Sequence, residues 1–176
     1  MHGRAWTQVG QPGCGKSTAL LAALSAAGLP TSPLVREGLV AYHALEGGRL
    51  VVLGDYSSDA LFPGVDRLSH SAPPHARVLA AAKLAAGATV VFEGDRLFNS
   101  KMIQYCLDHQ VPHLFVVLAV DGATLAAQRV QRGTPQRSSW LDGRATMLAS
   151  IQSKFLFVQT VTPAQLHAIL TALLPH

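Results

Sequence analysis

Two uninterrupted apolar runs stand out along the chain, TVVFEGD at Thr89–Asp95 and HLFVVLAV at His113–Val120. A run that is apolar at consecutive positions fits a strand covered on both faces, the environment of a parallel sheet. Arg4–Val9 is a third, shorter strand candidate, more polar than a central strand usually is because it carries Thr7 and Gln8. Between the strands lie segments of helical composition and punctuation. Lys16–Ala27 is rich in Ala and Leu and is stopped by Gly28 and Pro30, and Pro74–Ala86 ends at Gly87. Phe98–His109, Gly122–Arg132, Leu141–Phe155 and Pro163–Leu174 complete the predicted helices. LVAYHALE and RLVVLGDY flank Gly47-Gly48, which predicts an antiparallel hairpin inserted into an alternating β/α pattern. Asp55–Pro74 holds Gly, Pro, Ser and Asp without periodicity and reads as a long functional loop. The expected fold is therefore α/β, a mostly parallel sheet with helices on both faces in three layers. No repeat or linker interrupts residues 1–176, so a single domain is expected.

Composition narrows this picture. The chain has 176 residues, 49% hydrophobic and 14% charged, enough for one buried core and unlike a disordered segment. No apolar run reaches the roughly 18 residues of a membrane span, and the N-terminus lacks the layout of a signal peptide. The expectation is a cytoplasmic protein without a membrane partner. Cys14 and Cys106 are the only cysteines, and free thiols are expected because a disulfide at Cys14 would obstruct the glycine loop around it. His109 and His113 are spaced like metal ligands on a helix, but Pro112 breaks that helix. The formal charge of +4 suits a polyanionic partner.

The strongest chemical signal is VGQPGCGKST, Val9–Thr18. Gly10, Gly15, Lys16 and Ser17 fill the pattern Gly-x-x-x-x-Gly-Lys-Ser between a predicted strand and a predicted helix. Glycines let successive backbone N–H groups curl inward around phosphate oxygens, and the helix N-terminus adds a positive dipole end. The loop residues Gly10, Gln11, Pro12, Gly13, Cys14, Gly15, Lys16, Ser17 and Thr18 are thus expected to bind the triphosphate of ATP. Lys16 is expected on the β- and γ-phosphates and the Ser17 hydroxyl on Mg²⁺.

Such a site needs a carboxylate beside the loop. Glu93 ends the strand TVVFE with Asp95 two residues on, and ligands of open α/β sheets collect at the carboxyl ends of strands. Glu93 is expected to hold Mg²⁺ through water, or to position a nucleophile. In PGVDRLS, Pro63–Ser69, Asp66 is the first choice for the base that takes a hydroxyl proton, with Arg67 steadying the acceptor or the moving phosphoryl group. Asp55 is the second choice. Arg129 and Arg132 share a helix face and Arg137 lies in a Gly/Pro/Ser stretch, so residues from about 129 to 143 read as an arginine-bearing lid that would cover ATP and exclude water.

The order of these parts resembles a P-loop kinase of the nucleotide-kinase type, within the P-loop NTPase fold. GVDRLS (Gly64–Ser69) followed by VVFEGDRLFNSK (Val90–Lys101) is also similar to small bacteriophage kinases, some of which phosphorylate 5-hydroxymethyluracil within DNA during base hypermodification. Val65 departs from the Thr that this family often has there. The resemblance implies ATP as donor, Mg²⁺, and an alcohol acceptor on DNA carrying modified pyrimidines. The same machinery also suits a free nucleoside, nucleotide or other small alcohol. A nucleotide-dependent ATPase or switch is a third reading, against which no Asn-Lys-x-Asp guanine motif occurs.

Overall fold

Alternation inside the apolar runs decides which side chain enters which layer. The computed structural model describes residues 3–25, 28–57, 64–131 and 137–173. In chain order, β1 (Arg4–Gly10) runs through the glycine loop into α1 (Lys16–Leu24), and β2 (Leu34–Glu37), β3 (Val40–Leu45) and β4 (Leu50–Leu53) follow. Then come α2 (Ala72–Ala85), β5 (Thr89–Glu93), α3 (Ser100–Asp108), β6 (His113–Leu118), α4 (Gly122–Gln131), α5 (Ser138–Lys154), β7 (Gln159–Val161) and α6 (Pro163–Leu173). On β1, Ala5 and Val9 point to one face and Trp6 to the other; on β5, Val90 and Phe92 oppose Val91; on β6, Phe115 and Val117 oppose Val116 and Leu118. The first face is covered by α2, α3 and α5 through Ala76, Ile103, Leu148 and Ile151, and the second by α1, α4 and α6 through Leu20, Leu125 and Leu166. The result is the expected three-layer α/β sandwich.

The sheet order is β2-β3-β4-β5-β1-β6-β7. All pairings from β4 to β7 are parallel, and those of β2 with β3 and β3 with β4 are antiparallel. β1 therefore lies between β5 and β6, and its register sets Gln8 beside Glu93. Thr7 is fully buried, and the strand spans seven residues despite its polar members, longer than its composition suggests.

Several expected boundaries shift. The hairpin forms, but its second strand, β4, is itself a member of the parallel sheet through β5, so the departure from parallel order is confined to β3 and the four-residue edge strand β2. β7 is a three-residue strand held by β6, where the sequence shows no strand signal. Asp55–Pro74 is not a uniform loop. Asp55 and Gly64 form an antiparallel bridge, a 3-10 turn spans Val65–Arg67, and α2 begins at Ala72 with prolines in its first turn. α5 starts at Ser138, three residues before the apolar pattern begins. No helix among the described residues is long and apolar enough to cross a membrane.

Candidate phosphate and acceptor site

The glycine loop leaves the sheet at the carboxyl end of its central strand. Gly13 and Gly15 both take left-handed backbone, φ 88° and 85°, which side-chain-bearing residues rarely adopt. Gly15 is the N-cap of α1 and supplies no side chain, so the N–H groups of the helix's first turn face a space that an anion can enter. The Lys16 ammonium donates to the carbonyls of Gly10 at 3.2 Å and Gln11 at 3.3 Å, and lies 3.7 Å from Cys14 Sγ. Arg129, from the end of α4, lies over the same loop: its Nε donates to the Pro12 carbonyl and its Nη2 to Gln11 Oε1, both at 3.0 Å. Gln11 and Cys14 face a second hollow beside β6 and α5, and Thr18 is exposed on α1. Both cysteines are free and buried, and burial pushes the Cys106 thiol up to about 11.

Glu93 closes the floor of the cleft. It is 3% exposed, and its Oε1 accepts the Ser17 hydroxyl at 2.5 Å. Its Oε2 is buried without a hydrogen-bond partner among the described residues. Burial pushes the carboxyl up to about 7, opposed by the charge of Lys16 and the bond from Ser17. The buried hydroxyl of Tyr56 lies beside it and is held far above its ordinary range, first by burial and then by the Glu93 charge. Gly64 wedges between the two. A Cβ there would stand 2.4 Å from Glu93 Oε1 and 3.2 Å from the Tyr56 hydroxyl, and its backbone, φ 99° and ψ −151°, is open only to glycine.

The far wall carries Asp66 on the 3-10 turn, Asp95 after β5, and Trp140 on α5. Asp95 is paired with Arg144 at 2.6 Å, and the Arg144 guanidinium sits over the Trp140 ring, 5.2 Å from its centre. Trp140 is 40% exposed. The other expected residues divide. Asp55 and Arg67 do not line the cleft. Asp55 is buried and paired with Arg67 at 2.9 Å and Arg36 at 3.5 Å, and it accepts from the backbone and hydroxyl of Ser57. Burial alone would raise its pKa, but the Ser57 bonds and the two guanidiniums outweigh burial and hold it below the usual carboxylate value. Asp55 is thus an anchor rather than an available base, and Arg67 spends its charge on that anchor rather than facing an acceptor. Arg96 donates to the Leu68 carbonyl and not to Glu93. Arg137 stands at the N-cap of α5 with exposed side chain, outside the cleft lining. Arg132 lies outside the described residues.

Ser17 and Glu93 are oxygen donors of the kind Mg²⁺ prefers, and Glu93 Oε2 is buried without a formed hydrogen bond among the described residues. No cluster of three or more His, Cys, Asp or Glu among the described residues forms a metal cage. A cation here would therefore share its shell with phosphate oxygens and water, the usual habit of Mg²⁺. Sequence reasoning missed Trp140, Tyr56 and Gly64. A single aromatic in a polar helix carries no periodic signal, and the Tyr56–Gly64–Glu93 contact depends on a bridge between distant residues.

No protein-family model matches the chain, and neither does any curated protein. Among solved structures, a gluconokinase from Sinorhizobium meliloti 1021 is similar at a TM-score of 0.47 and 18% identity, over 96% of this chain and 87% of that one.

Proposed function

We propose that this chain is a phosphotransferase that moves the terminal phosphoryl group of ATP to the hydroxyl of a small-molecule acceptor. The observation that carries the reading is one cleft with two chemically distinct walls, a glycine loop with Lys16 and Ser17 on one side and the exposed carboxylate Asp66 on the other, over the buried Glu93. Backbone N–H groups of the loop and the Lys16 ammonium hold the β- and γ-phosphates, the Lys16 ammonium leaving the loop carbonyls to do so. Ser17, with Glu93 through water, would hold Mg²⁺, which when bound adds positive charge against the phosphate oxygens. Asp66 accepts the proton of the attacking hydroxyl as its oxygen bonds to the γ-phosphorus and the bond to the β-phosphate oxygen breaks, leaving ADP and a phosphate ester. Arg129 stabilises charge on the transferring group from the loop side.

A small acceptor fits the cations around the cleft. Arg36 and Arg67 are engaged by Asp55 and Arg144 by Asp95, so these side chains do not offer a track for a phosphate backbone. The formal charge of +4 and the GVDRLS and VVFEGDRLFNSK motifs favour the second reading, a hydroxymethylated pyrimidine within DNA. Incubation with γ-labelled ATP and either free alcohols or hydroxymethyluracil-containing duplex separates the two. Transfer to monomers alone supports the first reading, and transfer only to the polymer, falling steeply with salt, supports the second. Lys16→Ala is expected to abolish transfer and weaken ATP binding at least tenfold, a loss of about 1.4 kcal/mol or more; full activity in that variant contradicts the proposal.

A further inference from the structure

The acceptor half of the cleft has a composition of its own. Among the described residues, its polar groups are the carboxylates Asp66 and Asp95, and its one large surface is the indole of Trp140. Among the described residues, the cations of the cleft lining are Lys16 and Arg129, both bonded to the glycine loop. Arg144 pairs with Asp95 at 2.6 Å and backs the Trp140 ring. An ionised carboxylate only accepts hydrogen bonds, so whatever meets Asp66 and Asp95 must donate them. A carboxylate or phosphate on the acceptor would instead meet the Asp66 carboxylate and, at Asp95, an ion pair already closed by Arg144, an arrangement that discriminates against it. A guanidinium covers one face of an indole, and Trp140, which lines the cleft, remains 40% exposed.

Resting on the phosphotransferase reading above, we infer that the acceptor is an uncharged, ring-bearing alcohol that packs a ring face on Trp140 and donates its hydroxyls to Asp66 and Asp95. The Asp95–Arg144 pair then serves specificity twice. It holds the indole in place, and it keeps the Arg144 charge away from anionic competitors.

The test is a matched panel with γ-labelled ATP: a hexose against its hexuronate, inositol against inositol monophosphate, and a nucleoside against its 5′-monophosphate. Acceptor binding is read separately from quenching of indole fluorescence, in wild type and in Trp140→Phe, where only buried Trp6 remains. The uncharged member of a used pair is expected to have the higher kcat/KM. Trp140→Ala is expected to raise acceptor KM roughly tenfold or more, as loss of a stacking surface does, with the KM for ATP little changed and Trp140→Phe restoring most of the affinity. Asp95→Asn, which releases Arg144, is expected to narrow the preference against the anionic member. Preference for the anionic member, or a Trp140→Ala variant with unaltered acceptor KM, overturns the inference and leaves the phosphotransferase reading standing. ATP binding without transfer to any acceptor, monomer or DNA, overturns both.

Discussion

Replacing Gly64 by alanine should damage stability and activity together, because the space its Cβ needs is already filled by the Glu93 carboxylate. Two costs arise. The backbone at φ 99° and ψ −151° lies in a region that only glycine populates freely, where a side chain costs about 1–3 kcal/mol. The new Cβ would also stand 2.4 Å from Glu93 Oε1, the atom that takes the Ser17 hydroxyl. Moving that oxygen breaks a hydrogen bond to a buried acid, worth about 1.5–3 kcal/mol when the acid is charged. The total is about 2.5–6 kcal/mol, a large share of the roughly 5–15 kcal/mol that holds a domain folded. Gly47→Ala is the control. It also has positive φ, 66°, but a Cβ there meets nothing within 4 Å, so only the backbone cost of about 1–2 kcal/mol applies. Urea unfolding of both variants, with phosphoryl transfer measured under conditions where each is folded, separates the terms. If Gly64→Ala is no less stable than Gly47→Ala and transfers at the wild-type rate, the wedge between Glu93 and Tyr56 does not exist as described.

Acidification should remove one stabilising contribution at mildly acidic pH, that of His43. His43 is fully buried, its Nδ1 bonded to Ser32 and its Nε2 accepting the Tyr56 N–H at 3.1 Å, an assignment that requires the neutral ring. Burial lowers its pKa from the ordinary 6.5, opposed by the Ser32 carbonyl and the Asp55 charge. The unfolded chain therefore binds a proton that the native ring refuses, and this contribution is complete above 6.5 and lost as pH falls toward the folded value. Glu93, raised to about 7, takes up a proton in the folded state over the same range and opposes this loss, so His43 is read by difference. The gap in urea midpoint between wild type and His43→Gln should shift against wild type as pH falls from about 7.5 to about 5.5, and a gap that stays constant contradicts the assignment. Arg67→Ala should cost only about 1 kcal/mol, because Arg67 is 42% exposed and Ser57 and Arg36 still hold Asp55. It should nonetheless raise acceptor KM, since the turn carrying Asp66 loses its tie, while ATP affinity measured by titration stays constant; a change in ATP affinity alone would show that Arg67 serves the phosphates.

What was legible in the sequence was whatever the backbone encodes locally. The spacing of Gly10, Gly15, Lys16 and Ser17 sets the loop, and continuous apolar runs at Val90–Phe92 and Phe115–Leu118 mark strands buried on both faces. The acid at the end of one run then falls beside the loop because β5 pairs with β1. Short edges were illegible for the opposite reason. β2 is half-buried with Arg36 and Glu37 exposed, and β7 has one buried residue in three, so neither carries an apolar pattern. Asp55 reads as a second choice of base because it sits, like Glu93, at the end of an apolar strand. What separates them is that Arg36 and Arg67 reach Asp55 from distant segments, and no local signal announces an ion pair formed by tertiary contact.

Asp66 bears the sharpest division of labour in the account, since it lines the cleft as an exposed carboxylate and is the base proposed for the acceptor hydroxyl. The decisive measurement is ATP affinity and single-turnover phosphoryl transfer on the same preparation of Asp66→Asn. The account predicts ATP affinity within about twofold of wild type and transfer slowed by about 10²-fold or more, the scale of a lost general base. Transfer at the wild-type rate, or a loss of ATP binding that accounts for the whole defect, would contradict the two-walled cleft.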